Sequence, residues 1–278
     1  MSSVDSSPVA YVGSISRLRR VGGGRLLKTP AELSRDLTPD YEEQVKEIAH
    51  NFHVERKILE YLGDSPRTMK QVYHGWQEDR NGLLLSEASH GNLQDYLDDH
   101  GPPSRANLPK WSRQIVQCLR FIHGRGVIHC DIRPENFLIH QTSQDSLDIR
   151  ICDFGGSVCK EIGVDGLSLP TPAFLDPNYH CGKPTRSTDI FSLGFVLYFI
   201  QTGHWPYRGP GSSWRTREEA DEYEERVQNL YTRGQFPDTE DLFAGHVMRG
   251  CWTKRYKSAI DIICDLDFDI DMLADSES

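Results

Sequence analysis

"VIHCDIRPENFLI", residues 127–139, sets His129, Asp131, Arg133 and Asn136 between two apolar runs. Two readings of this pattern are open. One is a solvated polar loop at the edge of a core. The other is a loop that holds a proton acceptor and a metal ligand at fixed separation. The rest of the chain has to decide between them.

The bulk composition narrows the field. A chain of 278 residues suits one large domain or one domain in two lobes. With 37% hydrophobic and 10% aromatic residues, it can build a sizeable core. A net charge of −10 argues against a nucleic-acid or anionic-membrane surface. Seven cysteines, with no C-x-x-C pair, argue against a disulfide framework or a zinc site and for reduced thiols. The start "MSSVDSSPVAYVG" lacks the basic and apolar regions of a signal peptide. The longest apolar run, "IFSLGFVLYFI", is far short of the ~20 residues of a membrane span and reads as a buried helix. The expectation is a soluble intracellular protein, cytoplasmic or nuclear, with no nucleic-acid or membrane partner.

Patterning divides the chain near residue 88. Residues 1–9 read as a flexible N-terminus. Residues 9–28 read as short strands, with a hairpin turn at Gly22-Gly23-Gly24 and a stop at Pro30. "TPDYEEQVKEIAHNFHVERKILEYLG" repeats apolar residues at helical spacing up to Gly63. Strand-like pieces follow at 70–76 and 82–87. Beyond them the helices are a short one in "HGNLQDYLDDHG", an amphipathic one from 107, an apolar one at 187–202, a charged one near 216–233 and a pair near 241–265. Two short strands fall around 137–139 and 148–151, and 154–185 reads as irregular. The tail 266–278 is acidic and expected to fray.

Chemistry concentrates in two stretches. Downstream of the opening loop, "IRICDFGGS" (149–157) brings a strand to Asp153 and breaks at once into Phe154-Gly155-Gly156. Asn136 and Asp153 are oxygen donors flanking a hairpin. Such oxygens suit one Mg²⁺-sized cation that keeps water or phosphate elsewhere in its shell. Asp131 would face the same cleft. Phosphoryl transfer asks for metal over the phosphates, a positioned hydroxyl and an acceptor for its proton.

These residues resemble the motifs of the eukaryotic protein kinase family, serine/threonine type. "HCDIRPEN" resembles the catalytic loop H-R-D-x-K-P-E-N, and "DFG" at 153–155 is the metal-binding motif. "TPAFLDPN" (171–178) resembles the end of the activation segment. "STDIFSLGFVLYFIQTGHWPY" resembles the helix after it, with Asp189 in the place of the buried Asp that braces the catalytic loop. The likeness runs over about residues 10–265. It is nearest to small stand-alone fungal kinase-like proteins, in which "ERKILEYLG", "VIHCDI" and "CDFGGS" have counterparts.

The resemblance implies an α+β, bilobal protein-kinase-like fold with an ATP cleft. A small β-rich N-lobe with one helix (10–88) would be followed by a larger, mainly helical C-lobe (89–265). It implies Asp131 as catalytic base, Arg133 on the transferring phosphate, and Asn136 and Asp153 on Mg²⁺. Lys28 would contact the ATP phosphates, and Glu55 would position Lys28. Ser86 would gate a back pocket, with the backbone near Glu87 and Ser89 binding adenine. Thr171 would hydrogen-bond the catalytic Asp. The implied cofactors are ATP and Mg²⁺, the partner is a protein substrate, and a monomer is expected.

Several positions depart from the pattern. Only Gly13 stands near the expected phosphate-loop glycines, and a loop without them approaches phosphates less closely. The hydroxyls of Ser14 and Ser16 are the available compensation. Arg133 replaces the usual Lys, a fork for a point charge. Cys130 replaces the Arg that receives an activation-loop phosphate, so activity should not depend on phosphorylation of Ser157, Ser168 or Thr171. Asn178 and Tyr256 replace both halves of a C-lobe ion pair. Two functions follow: ATP-dependent phosphorylation of Ser/Thr hydroxyls on proteins, or a pseudokinase that keeps the fold as a nucleotide-binding or scaffold protein. A small-molecule phosphotransferase fits the long segment ending in "TPAFLDPN" poorly.

Overall fold

The computed structural model describes residues 9–12, 15–36, 38–63, 72–166, 171–179, 183–209 and 216–276. In chain order the strands and helices begin with β1 (Val9–Val12), β2 (Ser16–Gly22), β3 (Arg25–Pro30), α1 (Tyr41–Leu62), β4 (Tyr73–Gln77) and β5 (Gly82–Ser86). Then come α2 (Leu93–His100), α3 (Leu108–Gly124), β6 (Val127–Ile128), β7 (Phe137–Ser143), β8 (Ser146–Ile151), β9 (Val158–Cys159) and β10 (Val164–Asp165). The chain closes with α4 (Arg186–Thr202), α5 (Arg217–Thr232), α6 (Gly245–Trp252) and α7 (Ala259–Ser276). None of these helices is long and apolar enough to cross a membrane.

The chain forms two compact units. The first holds the residues up to Ala88 together with Asp153–Gly166, and the second holds the rest. In the first, an antiparallel sheet runs in the order β1-β2-β3-β5-β4. The β2–β3 turn is Gly23-Gly24, with φ of 61° and 67°. Two consecutive positive φ values give the twist a two-residue hairpin needs, and glycine supplies them without a Cβ clash. Helix α1 lays Ile48, Phe52, Ile58, Leu59 and Leu62 into the core.

Residues 153–166 were expected in the second lobe and irregular. They join the first unit instead, with β9 and β10 as a small antiparallel hairpin. Contacts to α1 and β3 explain it. Asp153 binds Lys28, and a Cβ on Gly155 would lie 3.4 Å from Asn51. His50 Nε2 lies 2.6 Å from the carbonyl of Asp165.

The core of the second unit is α4. Phe191, Leu193, Phe195, Val196, Phe199 and Ile200 are all buried, so the helix is apolar nearly all round. The Phe195 ring stacks on Tyr231 of α5 at 4.7 Å and on Trp252 of α6 at 4.6 Å. Gly194 makes that approach possible, since a Cβ there would fall 2.6 Å from Trp252 Nε1 and 2.9 Å from Cys251 Cβ. Gly194→Ala is therefore expected to destabilise the protein by about 1–3 kcal/mol, read from the urea midpoint at constant m-value.

Two features rest on side chains that sequence left unremarked. Asn178 and Tyr256 do lack an ion pair, but one is rebuilt two residues upstream of each. Lys254 Nζ lies 2.8 Å from the buried carboxylate of Asp176. Helix α7 runs on through the acidic stretch expected to fray. Ile262, Ile263 and Leu266 anchor it, and Arg113 of α3 grips Asp267 at 2.7 and 3.1 Å.

The β7–β8 hairpin contributes to the acid sensitivity of this unit. Burial, helped by the charge of Arg150, lowers the His140 imidazole from 6.5 to about 4. Its Nε2 is buried and has no hydrogen-bond partner. The folded state thus favours neutral His140. That stability is fully present above pH 6.5 and is lost as pH falls toward 4, about 3 kcal/mol in all. Asp148 opposes its burial with bonds from Lys110, Gln114 and Thr142 and titrates at about 2. Its own contribution is lost only from pH 3.8 downward. Urea unfolding between pH 7 and 4 should show a steeper loss of stability in wild type than in His140→Leu.

Candidate active site

The first unit builds an ion cluster around Lys28. On β3, Lys28 pairs across to Leu18 of β2 and Leu83 of β5, and its side chain points to the face covered by α1. There its Nζ lies 2.8 and 2.9 Å from the Glu55 carboxylate and 3.0 Å from Asp153 Oδ1. Glu60, one turn on from Arg56, pairs with that arginine and not with Lys28. Burial would lower the Lys28 pKa, but the charges of Asp153 and Glu55 outweigh it and raise it, so the ammonium stays charged. Asp153 takes a φ of 64°, a strained value for a residue with a side chain, which the lysine contact helps to hold.

The second unit builds the catalytic-type loop. Asp189, on the first turn of α4, is buried and accepts from His129 N at 2.8 Å and Cys130 N at 3.0 Å. His123 Nε2, at the end of α3, lies 2.9 Å from the same carboxylate. Three donors on one carboxylate fix the loop at Cys130, whose φ is 69°. After that turn, Asn136 Nδ2 donates to the Asp131 carbonyl at 2.7 Å and to Asp131 Oδ2 at 2.8 Å. Arg133 Nε stands 3.3 Å from the same Oδ2. Asp131, Arg133 and Asn136 are therefore brought together, as expected.

Each unit keeps one oxygen donor of the expected pair. Asn136 spends its amide nitrogen on Asp131, which leaves the carbonyl oxygen as its acceptor. Asp153 offers a carboxylate that is 44% exposed. Among the described residues no cluster of three His, Cys, Asp or Glu could cage a metal.

Two expected positions, Ser86 and Thr171, are corrected. Ser86 does not gate the Lys28 face. In the β3–β5 register Lys28 faces Leu83 and Leu26 faces Leu85, whereas Arg25 faces Ser86. Side chains alternate along a strand, so a shift of one residue moves Ser86 to the opposite face, where its Oγ meets His74 Nε2 at 2.7 Å. Leu85 holds the position on the Lys28 side. The Glu87 N–H is donated to the Gly24 carbonyl at 2.8 Å, and the Glu87 carboxylate pairs with Arg20 at 2.7 Å. Ser89, in the second unit, receives the N–H of Gln141 on its Oγ at 2.6 Å. Thr171 does not bind Asp131: its Oγ1 is buried without a hydrogen-bond partner.

Gly13, Ser14, Ser168 and residues 1–8 lie outside the described residues. Ser157 is fully buried, and Cys130 is buried with its thiol toward the Ile128 carbonyl. Sequence reasoning did not single out His123, Leu85 or Asp176. "FIHGRG" offered His123 as a polar residue closing an apolar helix face, but nothing local marked the other two.

The protein kinase domain family matches residues 38–267. The chain belongs to the protein kinase family. The match begins after β3, so Lys28 lies outside it and is tied to the kinase domain by its contacts with Glu55 and Asp153. Similar curated proteins include calcium/calmodulin-dependent protein kinase type 1 of Caenorhabditis elegans, 30% identical over 155 residues, which are 55% of this chain and 44% of that protein. Another is a death-associated protein kinase related protein of Drosophila melanogaster, 31% identical over 168 residues, covering 59% of this chain and 24% of that one. A third is the probable serine/threonine-protein kinase KCC4 of Saccharomyces cerevisiae, 29% identical over 161 residues, covering 56% and 15%. The chain thus spans less than half the length of these relatives. The crystal structure of Rad53 kinase domain and SCD2 matches with a TM-score of 0.57 at 21% identity, over 89% of this chain and 84% of that one. The kinase fold, β-rich toward the N-terminus and helical toward the C-terminus, is thereby established.

Lys28 and Glu55 are both nearly buried, so removing one charge strands the other. Lys28→Met should cost about 3–5 kcal/mol in chemical denaturation, and Lys28→Met/Glu55→Gln should recover part of that loss.

Proposed function

We propose that this kinase domain transfers the γ-phosphoryl group of ATP to a Ser or Thr hydroxyl of a protein. The observation that carries the proposal is the Lys28–Glu55–Asp153 cluster. A chain lacking the G-x-G-x-x-G and V-A-I-K patterns has nonetheless buried a charged lysine against a helix glutamate and the DFG aspartate. The Ser/Thr reading draws on the relatives' names and on the "RPEN" and Thr171-Pro172 motifs. The nucleotide reading is supported by the related Rad53 kinase domain, which was solved in complex with AMPPNP.

In this reading Asp131 accepts the proton of the substrate hydroxyl, and Asn136 keeps its carboxylate aimed by the 2.8 Å bond to Oδ2. Arg133 neutralises charge on the transferring group. Lys28 orients the ATP phosphates, and Glu55 holds Lys28. Asn136 and Asp153 are the residues that would hold Mg²⁺, which would supply positive charge against the phosphates. An intracellular location and a monomeric state complete the proposal. The first draws on six free cysteines among the described residues. Two of these, Cys118 and Cys251, have thiols pushed up by burial and serve packing.

The second reading, a pseudokinase, draws on the single glycine near the phosphate loop. One experiment separates the two: Mg²⁺-dependent ATP turnover on a basic protein substrate, with wild type beside Asp131→Ala. Wild type should place phosphate on Ser or Thr, and Asp131→Ala should lose at least about a hundredfold in rate. Absence of turnover in both, with Mg·ATP still raising the melting temperature, would establish the pseudokinase.

A further inference from the structure

Helix α7 has apolar residues on two faces, and among the described residues only one is covered. Ala259, Ile262, Ile263 and Leu266 are buried. At i, i+4 spacing along another face stand Ile260, Cys264, Phe268 and Met272, all exposed. Ile260 is 54% exposed, Phe268 65% and Met272 56%. Single exposed apolar residues are ordinary, but four in one stripe are not. Met272 also lines a groove of about 470 Å³ with Leu242, Phe243, His246 and Asp269. Within that groove Asp269 Oδ2 is shielded from solvent and accepts no hydrogen bond, with His246 Nδ1 3.5 Å away.

Charge selects what can cover this stripe. Residues 259–276 contain six Asp and no Lys or Arg. Asp265 is partnered by Arg255 and Asp267 by Arg113, while Asp261 caps the helix start through Lys257 N and Ser258 N. Allowing for both arginines, the helix remains strongly acidic. A second copy of α7 would meet it with like charge, and anionic lipid or nucleic acid would be repelled. A basic amphipathic helix meets both requirements: its apolar side covers Phe268 and Met272, and its cations surround them.

We infer that the exposed face of α7, with the adjoining Asp269 groove, is a docking surface for a basic amphipathic helix of a partner protein. Phe268 and Met272 are its apolar anchors, and Asp269 receives an Arg or Lys side chain entering the groove. The inference is independent of catalytic activity.

The test uses a fluorescein-labelled model peptide of Leu and Lys at helical spacing, titrated with the full chain and followed by anisotropy. Binding should be saturable and weaken with salt. Phe268→Ser/Met272→Ser should raise the Kd about tenfold, and Asp269→Asn should raise it severalfold, with unchanged melting temperatures because the two apolar residues touch mainly solvent. Equal binding by wild type and Phe268→Ser/Met272→Ser would overturn the inference, since charge alone would then be at work. So would equal binding of the same peptide with Glu for Lys. Sedimentation showing dimers in wild type but not in the double variant would overturn it too, in favour of a second copy.

Discussion

The carboxylate of Asp189 is the constraint on which the second unit's chemistry depends. It sits on the first turn of a helix that is otherwise apolar, so water cannot satisfy it. It must be satisfied by protein donors, and it takes the backbone N–H groups of His129 and Cys130 and the ring of His123. That demand pulls the loop after β6 into a conformation no unsupported Cys would adopt, with φ at 69°. Everything after the turn follows. Asp131 emerges at a defined place, and Asn136 closes on both its backbone and its carboxylate. The packing of α4 against α5 and α6 therefore stands behind the position of Asp131.

The first unit meets a similar constraint with a charge of opposite sign. A lysine buried on a strand needs carboxylates, and Lys28 recruits one from α1 and one from the DFG segment. This explains why residues 153–166 belong with the N-terminal sheet and helix. It also shows how a lysine can be placed without the usual flanking pattern. The register of β2, β3 and β5 decides which face it points to, and Glu55 lies on the buried side of α1.

The C-terminal ion pair shows that physics conserves a function more readily than a position. Asn178 and Tyr256 cannot form a salt bridge, yet Asp176 and Lys254 do, each two residues earlier. Tyr256 is reused as a hydroxyl donor to Asp265 at 2.8 Å. A buried acid next to the activation segment is thereby neutralised by a different pair of residues.

The sequence alone determined most element types and the order of the motifs, and it offered Asp131, Asn136, Asp153, Lys28, Glu55 and Asp189 as candidates. Those features are local: apolar periodicity, glycine turns and short motifs carry them within a few residues. What lay beyond reach was set by contacts distant in the chain. The face to which Ser86 points depends on a strand register, in which one residue of slip inverts every side chain. The allegiance of 153–166 depends on Lys28, more than a hundred residues away. The Asp176–Lys254 pair and the uncovered stripe on α7 depend on which surfaces the other helices reach. Tertiary structure decided these because burial, and the pairing that burial enforces, is a property of the folded chain and not of any segment within it.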